Sequence, residues 1–147
     1  MRRLIIIPDS ANVSNALKVR NLPALEAYEG ALYEEIRRSK AEGKFPFDLD
    51  VLILTSRYGF KKLNDKIGLY RERMTLERAR ELRQDAVEFL LDYVRKNSIS
   101  KVYVMLGENY IEAIAGFDGH VDIPVEYIVQ DASYNVKKLK EIIAGRA

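Results

Sequence analysis

The sequence contains no cysteine, no tryptophan and a single histidine, His120. The absence of cysteine excludes disulfides, thiolate nucleophiles and cysteine-held zinc or iron–sulfur sites within the chain. One histidine is too few for a multi-histidine metal site, and its position between Gly119 and Val121 is typical of an exposed turn. We therefore predict no metal site and no cofactor, with Mg²⁺ held by carboxylates as the one alternative.

Long apolar runs are also absent. The run at residues 4–8 is far shorter than the roughly 20 residues that a membrane-spanning helix needs. The short aliphatic run behind Met1-Arg2-Arg3 does not amount to a signal peptide. Neither sign of charge dominates, because 24 Lys and Arg oppose 22 Asp and Glu, so no overall field favours a nucleic-acid partner. These features predict a cytoplasmic protein without a membrane partner, either a monomer or a homo-oligomer.

The size of the chain fits one compact domain, residues 1–147. Hydrophobic residues make up 48% of it, which is enough to fill a single core. Charged residues reach 31%, more than the usual quarter, while only two glutamines occur. A charged surface with few labile side chains is typical of thermophile proteins, so we expect a thermophilic source.

Apolar runs predict buried strands at residues 4–7, 49–54, 102–106 and 125–129. Apolar residues at helical spacing predict helices at 23–43, 75–97 and 136–144, with a short helix through Ile111 and Ile114. The polar stretches 9–21 and 56–74 are predicted as loops. This alternating order predicts a single three-layer α/β sandwich, in which helices cover both faces of a mostly parallel, Rossmann-like sheet of about four strands.

The most informative polar sequence is Thr55-Ser56-Arg57-Tyr58-Gly59-Phe60, directly behind the strand at 49–54. Ligands of open α/β sheets bind at the carboxyl ends of the strands. The other predicted strands are also followed by polar residues, at Asp9-Ser10, 107–110 and 130–134. Such residues also form turns and helix caps. Because four polar strand ends meet at one edge, we expect a ligand crevice there.

We assign the candidate site residues by chemical type. Hydrogen bonds to the ligand are expected from Ser10, Thr55, Ser56 and Asn109, a phosphate or carboxylate contact from Arg57, stacking from Tyr58 or Tyr70, and close backbone approach at Gly59 and Gly107. Tyr110 is a further ligand-binding candidate. No dinucleotide-type or P-loop glycine motif is present. A phosphate would therefore depend on Arg57, single glycines and helix N-termini.

Asp9 is the candidate catalytic residue. It could act as a general base that activates water, or pair with Glu108 for acid–base work or Mg²⁺ binding. It also precedes Ser10, but no histidine completes a nucleophilic relay. The enzymatic alternative is therefore a nucleoside or base hydrolase, or a base-modification enzyme, that uses Asp9.

Residues 57–83 carry a local excess of positive charge, with nine cations against four acids. Tyr58, Phe60 and Tyr70 are interleaved with these cations, as in surfaces that bind single-stranded nucleic acid. A solvated helix face with internal ion pairs explains the same pattern. A non-catalytic DNA- or RNA-binding surface is thus a further alternative.

Short motifs in the same order along the chain resemble one known group. They are Pro8 with Ser10, Pro23-Ala24 with Tyr28 and Gly30, residues 55–60, Ile67 with Tyr70, and Leu106-Gly107 with Tyr110. This layout is similar to prokaryotic proteins related to the peroxide-stress protein YaaA, and to the uracil-DNA-glycosylase-like domain attached to archaeosine synthases. The resemblance implies a Rossmann-like three-layer sandwich and a link to nucleic acid or modified nucleobases.

The chain departs from that group at the first motif. Asp9 stands where the group usually has cysteine, and the lysine that follows there has no clear counterpart. Any chemistry of those two residues is therefore changed or lost here. The sequence predicts a protein that binds a nucleobase, nucleotide or nucleic acid at the carboxyl ends of its strands.

Overall fold

The computed structural model describes residues 1–128 and 131–146. Its strands are β1 (Arg2–Pro8), β2 (Leu22–Pro23), β3 (Leu49–Thr55), β4 (Gly59–Lys62), β5 (Lys66–Ile67), β6 (Ile99–Val104) and β7 (Val125–Tyr127). Its α-helices are α1 (Ala24–Ala27), α2 (Ala31–Ala41), α3 (Leu76–Lys96), α4 (Glu108–Glu112) and α5 (Ala132–Ile143). Short 3₁₀ helices occur at Asn15–Lys18 and Phe117–His120. No helix in these ranges is long and apolar enough to cross a membrane.

The central sheet has the strand order β4-β3-β1-β6-β7. β3, β1, β6 and β7 run parallel, and the edge strand β4 pairs antiparallel with β3. The prediction of a mostly parallel sheet is confirmed. The fifth strand of the sheet, β4, lies in a stretch predicted as a loop. The sequence does not predict this strand because it is short and because Gly59 and two lysines interrupt its apolar pattern.

The two faces of the sheet form two separate cores. Alternate residues of a strand point to opposite faces, so Ile5 and Ile7 belong to one core and Leu4 and Ile6 to the other. α1, α2 and α5 pack on the first face, and α3 and α4 on the second. The predicted three-layer sandwich is therefore confirmed, and the continuous apolar run of β1 follows from its burial on both sides.

The helix predicted at 23–43 is interrupted. Tyr28 ends α1 in an extended conformation, and Gly30 has a φ of 119° before α2 begins. The backbone N of Glu29 donates to the carbonyl of Asn12 at 2.9 Å, and Val13 bridges Tyr28. Backbone pairing with the loop after β1 thus replaces helical bonds at this point. It leaves the Tyr28 ring fully buried in the core.

The remaining helix boundaries follow their capping residues. Thr75 caps α3, as predicted, and its side chain accepts from the backbone N of Arg78 at 3.0 Å. α5 begins earlier than predicted because Asp131 caps it, accepting from the backbone N of Tyr134 at 2.9 Å. The predicted strand at 125–129 is observed as β7, and Val129 lies outside the described residues.

The strand order also places the site. From the central β1 the chain first adds β3 on one side, and later adds β6 and β7 on the other. The loops that follow β1 and β6 therefore leave the sheet in opposite directions. Crevices of open α/β sheets form at this topological switch point. Here it lies between the residues after Pro8 and those after Val104.

Candidate ligand-binding cleft

A cleft of about 850 Å³ lies at the carboxyl edge of the sheet. Four parts of the chain line it: the loop after β1, Ser56 after β3, residues 68–76, and Asn109 with Tyr110 on α4. We call residues 68–75 the strap, because this segment lines the cleft along its whole length between β5 and α3. The structure thus brings together the polar ends of three strands.

Asp9 is the most extensively bonded side chain of the cleft. Its Oδ2 accepts from the backbone N of Ser56 at 3.1 Å and from the Tyr70 hydroxyl at 2.5 Å. Its Oδ1 accepts from the hydroxyl of Tyr110. The Ser56 hydroxyl is 3.3 Å from Oδ2, but the carbonyl of Glu72 is closer at 2.6 Å and takes its one proton. The carboxylate is therefore fixed from three elements.

The hydrogen bonds of Tyr70 determine which hydroxyl is the donor in each contact. The hydroxyls of Tyr28 and Tyr70 are 2.5 Å apart. A phenol has one proton, and that of Tyr70 is directed to Asp9, so Tyr28 must be the donor to Tyr70. Burial is the main cause that raises the pKa of Tyr28, Tyr70 and Tyr110 well above the usual value, and the charge of Asp9 adds to it. All three phenols remain protonated donors at neutral pH.

Asp9 retains capacity for one more hydrogen bond. A carboxylate offers about four acceptor positions. The backbone N of Ser56 and the two phenols occupy three of them. The remaining position is on Oδ1, and Asp9 lines the cleft. The site can therefore accept a hydrogen bond from an N–H or O–H group of a bound molecule.

Three of the predicted ligand-binding residues hold the strap in the structure. The Ser56 hydroxyl donates to the carbonyl of Glu72, and Arg57 Nη1 bonds Glu72 Oε1 at 2.6 Å. Asn109 Nδ2 donates to the carbonyl of Met74 at 3.1 Å. Arg57 is half exposed and does not line the cleft. These contacts fix the wall against which a ligand would lie.

Thr55, Tyr58 and Gly59 build the turn behind that wall. Thr55 is fully buried, and its hydroxyl donates to the carbonyl of Gly59 and accepts from the backbone N of Tyr58. Gly59 has a φ of 71°, a conformation that favours glycine. The Tyr58 ring contacts Tyr70 edge-on at 5.5 Å. Its hydroxyl accepts from the backbone N of Gly68, which anchors the start of the strap.

Ser10 lines the main cleft, and Gly107 lines an adjoining one. Ser10 lines the cleft and accepts from the backbone N of Asn12 at 3.2 Å. Gly107 and Glu108 line a smaller adjoining cleft of about 410 Å³ and do not line the main one. No group of three or more potential metal ligands is close enough to hold an ion in residues 1–128 and 131–146. Of the fourth polar loop, Gln130 lies outside the described residues.

Several lining residues were not assigned to the site from sequence. They include Val13, Leu17, Leu69, Met74 and the arginines 71 and 73. Their signal is weak, because apolar residues and cations in a predicted loop do not indicate which way the loop folds. Tyr28 lies within the predicted helix 23–43, and its contact with Tyr70 connects it to Asp9.

Local bonds occupy part of the basic stretch 57–83. Arg57 pairs with Glu72, and Arg83 Nη2 bonds Glu112 Oε2 at 2.9 Å. Arg78 donates to the carbonyls of Ser56 and Arg57 at 2.6 and 3.0 Å. These three guanidinium groups brace the turn after β3 and the packing of α3 on α4.

No protein-family model matches this sequence, and a comparison with curated proteins found no match. Among solved structures, the chain is similar to AF0587, a protein of unknown function. The TM-score is 0.52 at 14% sequence identity, over 96% of this chain and 44% of AF0587. The chain thus spans less than half the length of that protein. This likeness shows the α/β fold alone.

Proposed function

We propose that the cleft binds a molecule carrying a nucleobase, with Asp9 accepting a hydrogen bond from an N–H or amino group of the base. The observation that carries this proposal is the Asp9 carboxylate, which lines the cleft, is oriented by three donors and has capacity for one further hydrogen bond. Nucleobases present N–H donors in the plane of a flat ring, so an oriented carboxylate can distinguish them.

The lining of the cleft supports this choice. Apolar side chains and aromatic rings line the cleft together with Asp9, including Leu17, Leu69, Met74 and Tyr110. Such surfaces bind the faces of a base. The volume of about 850 Å³ falls within the range of small-molecule sites. The resemblance of residues 55–60 to YaaA-related proteins points to the same ligand class.

A thermal-shift screen tests the proposal. Nucleobases, nucleosides and nucleotides are added to the protein, with and without Mg²⁺. A ligand at about 100 times its dissociation constant should stabilise the protein by about 2.7 kcal/mol, a rise of several degrees. Asp9→Asn should lose the response, because it replaces one carboxylate oxygen with an NH2 group. That group donates a hydrogen bond and cannot accept one from the base. Asp118→Asn is the matched control, since Asp118 accepts from Tyr127 and does not line the cleft.

Two results would contradict the proposal. One is a panel without any stabilising member. The other is an Asp9→Asn variant that is folded, as judged by circular dichroism, and responds like the wild type. Tyr110→Phe serves as a second variant, because it removes one of the bonds that orient Asp9 without changing the charge of the site.

A hydrolase is the second candidate function, and the open acceptor position of Asp9 favours it. A carboxylate that accepts from a water molecule can act as a general base toward that water. Chromatography of nucleosides incubated with the protein decides between the two functions. Release of free base by the wild type, and none by Asp9→Asn, would support hydrolysis. If nucleosides bind but remain intact, the result would support binding without hydrolysis.

A further inference from the structure

The strap is anchored at every second residue. The Tyr70 hydroxyl bonds Asp9, the carbonyl of Glu72 accepts from Ser56, and the carbonyl of Met74 accepts from Asn109. The residues between these anchors are Arg71 and Arg73. Both are exposed and line the cleft, and neither has an ion pair or side-chain hydrogen bond within the described part of the chain.

Neither acidic side chain that lines the cleft pairs with these arginines. The charged side chains that line the cleft are Asp9, Arg71, Glu72 and Arg73. Glu72 is paired with Arg57, at 2.6 Å, and Asp9 receives hydrogen bonds from the phenols of Tyr70 and Tyr110. Arg71 and Arg73 are therefore left with two positive charges on one wall of the cleft. A guanidinium matches the oxygens of a phosphate group in a bidentate manner.

We infer that Arg71 and Arg73 bind the phosphate of the ligand, and that the site takes a phosphorylated nucleoside in preference to the free base or nucleoside. This inference rests on the proposed function, because it assumes that the base lies at Asp9. The Tyr70 side chain and the Glu72 carbonyl anchor the strap on either side of Arg71, so this part of the strap is positioned before the ligand arrives. The phosphate contact thus falls to residues 71 and 73, whereas Arg57 positions the strap through Glu72.

Isothermal titration tests the inference with nucleosides, their mono- and diphosphates, and inorganic pyrophosphate. The variants are the double substitution Arg71→Gln with Arg73→Gln, and Arg80→Gln as its control. Arg80 is an exposed cation of the same basic stretch that does not line the cleft. Because charged hydrogen bonds contribute about 1.5–3 kcal/mol each, nucleotides should bind wild type about ten-fold or more tightly than nucleosides.

The double variant should bind nucleotides and nucleosides equally, whereas Arg80→Gln should keep the wild-type preference. Circular dichroism confirms that the variants are folded. A nucleoside that binds wild type as tightly as its phosphates would overturn the inference and leave the proposed function intact. A nucleotide preference that persists in the double variant would also overturn it. A third outcome is that wild type binds pyrophosphate but no nucleoside, and that the double variant does not bind pyrophosphate. This outcome would overturn the proposed function and retain the phosphate contact. No binding by any compound would overturn both.

Discussion

Asp9 and its phenol donors connect residues that are far apart in sequence. Tyr70 and Tyr110 follow Asp9 by 61 and 101 positions, and Tyr28 reaches it through Tyr70. A hydrogen bond to a charged group is stronger than a neutral one, and removing one partner leaves the other unsatisfied. The contacts that orient Asp9 therefore also stabilise the fold at the β1–β6 switch point.

Tyr110→Phe should lower the free energy of unfolding by about 1–2 kcal/mol at neutral pH, because Asp9 loses the donor to Oδ1. Tyr127→Phe is the matched control. Its hydroxyl donates to Asp118 at 3.1 Å, but both residues are exposed, so we expect a loss of at most about 0.5 kcal/mol. Urea denaturation measures both values. Equal losses would contradict a larger contribution of the Asp9 contact to stability.

Tyr70 makes the stability of the fold depend on pH in the alkaline range. Burial, followed by its bond to Asp9, raises the pKa of Tyr70 in the folded protein above the value of about 10 that it has in the unfolded chain. Above pH 10 the unfolded chain releases this proton while the folded protein retains it. The stabilisation is therefore complete below about pH 10 and is lost as the pH rises through the folded-state pKa.

Removing the Tyr70 hydroxyl should make the free energy of unfolding decline less steeply at alkaline pH. Between about pH 10 and 11.5, the unfolding free energy of Tyr70→Phe should fall less steeply than that of wild type, by up to about 1.4 kcal/mol per pH unit. Parallel curves for wild type and Tyr70→Phe, from denaturation at several pH values, would contradict this linkage.

At the scale of elements, much of the sheet could be predicted because buried parallel strands are continuous apolar runs. The strand ends that carry Asp9, Ser56 and Asn109 could be located in the same way. The path of the strap could not, since residues 68–75 have no regular element and their fold depends on distant partners. The role of Arg57 depends on Glu72 for the same reason: an acid fifteen positions away has no fixed relation to it in sequence.

The turn between β3 and β4 depends on the conformation of Gly59. A Cβ at this position would meet no atom within 4 Å, so Gly59→Ala tests the backbone alone. With a φ of 71°, alanine should cost about 1 kcal/mol. Gly119 also has open space for a Cβ but lacks a positive φ, so Gly119→Ala should be neutral or slightly stabilising. Chemical denaturation compares the two variants, and equal effects would show that φ does not determine the cost.

At the scale of the whole molecule, charge is distributed locally, since the formal net charge is only +2. Arg57, Arg78 and Arg83 of the basic stretch make internal bonds, whereas Arg71 and Arg73 face the cleft. This distribution favours one small anionic ligand over an extended nucleic-acid track. Binding to a long polyanion stays a prediction, and a steep decrease of affinity with salt would be its signature.

Chemical-shift mapping tests most directly whether a ligand binds in the proposed cleft. Amide resonances of ¹⁵N-labelled protein are followed as a nucleoside monophosphate is added. We predict that shifts concentrate at Ser10, Ser56, Tyr110 and the strap, all at the carboxyl edge. Gly43, Phe47 and Ser98, which lie in loops that precede strands at the other edge, should not shift. Shifts confined to that other edge or to the exposed face of α3, with none at the strap, would contradict the cleft as the binding site.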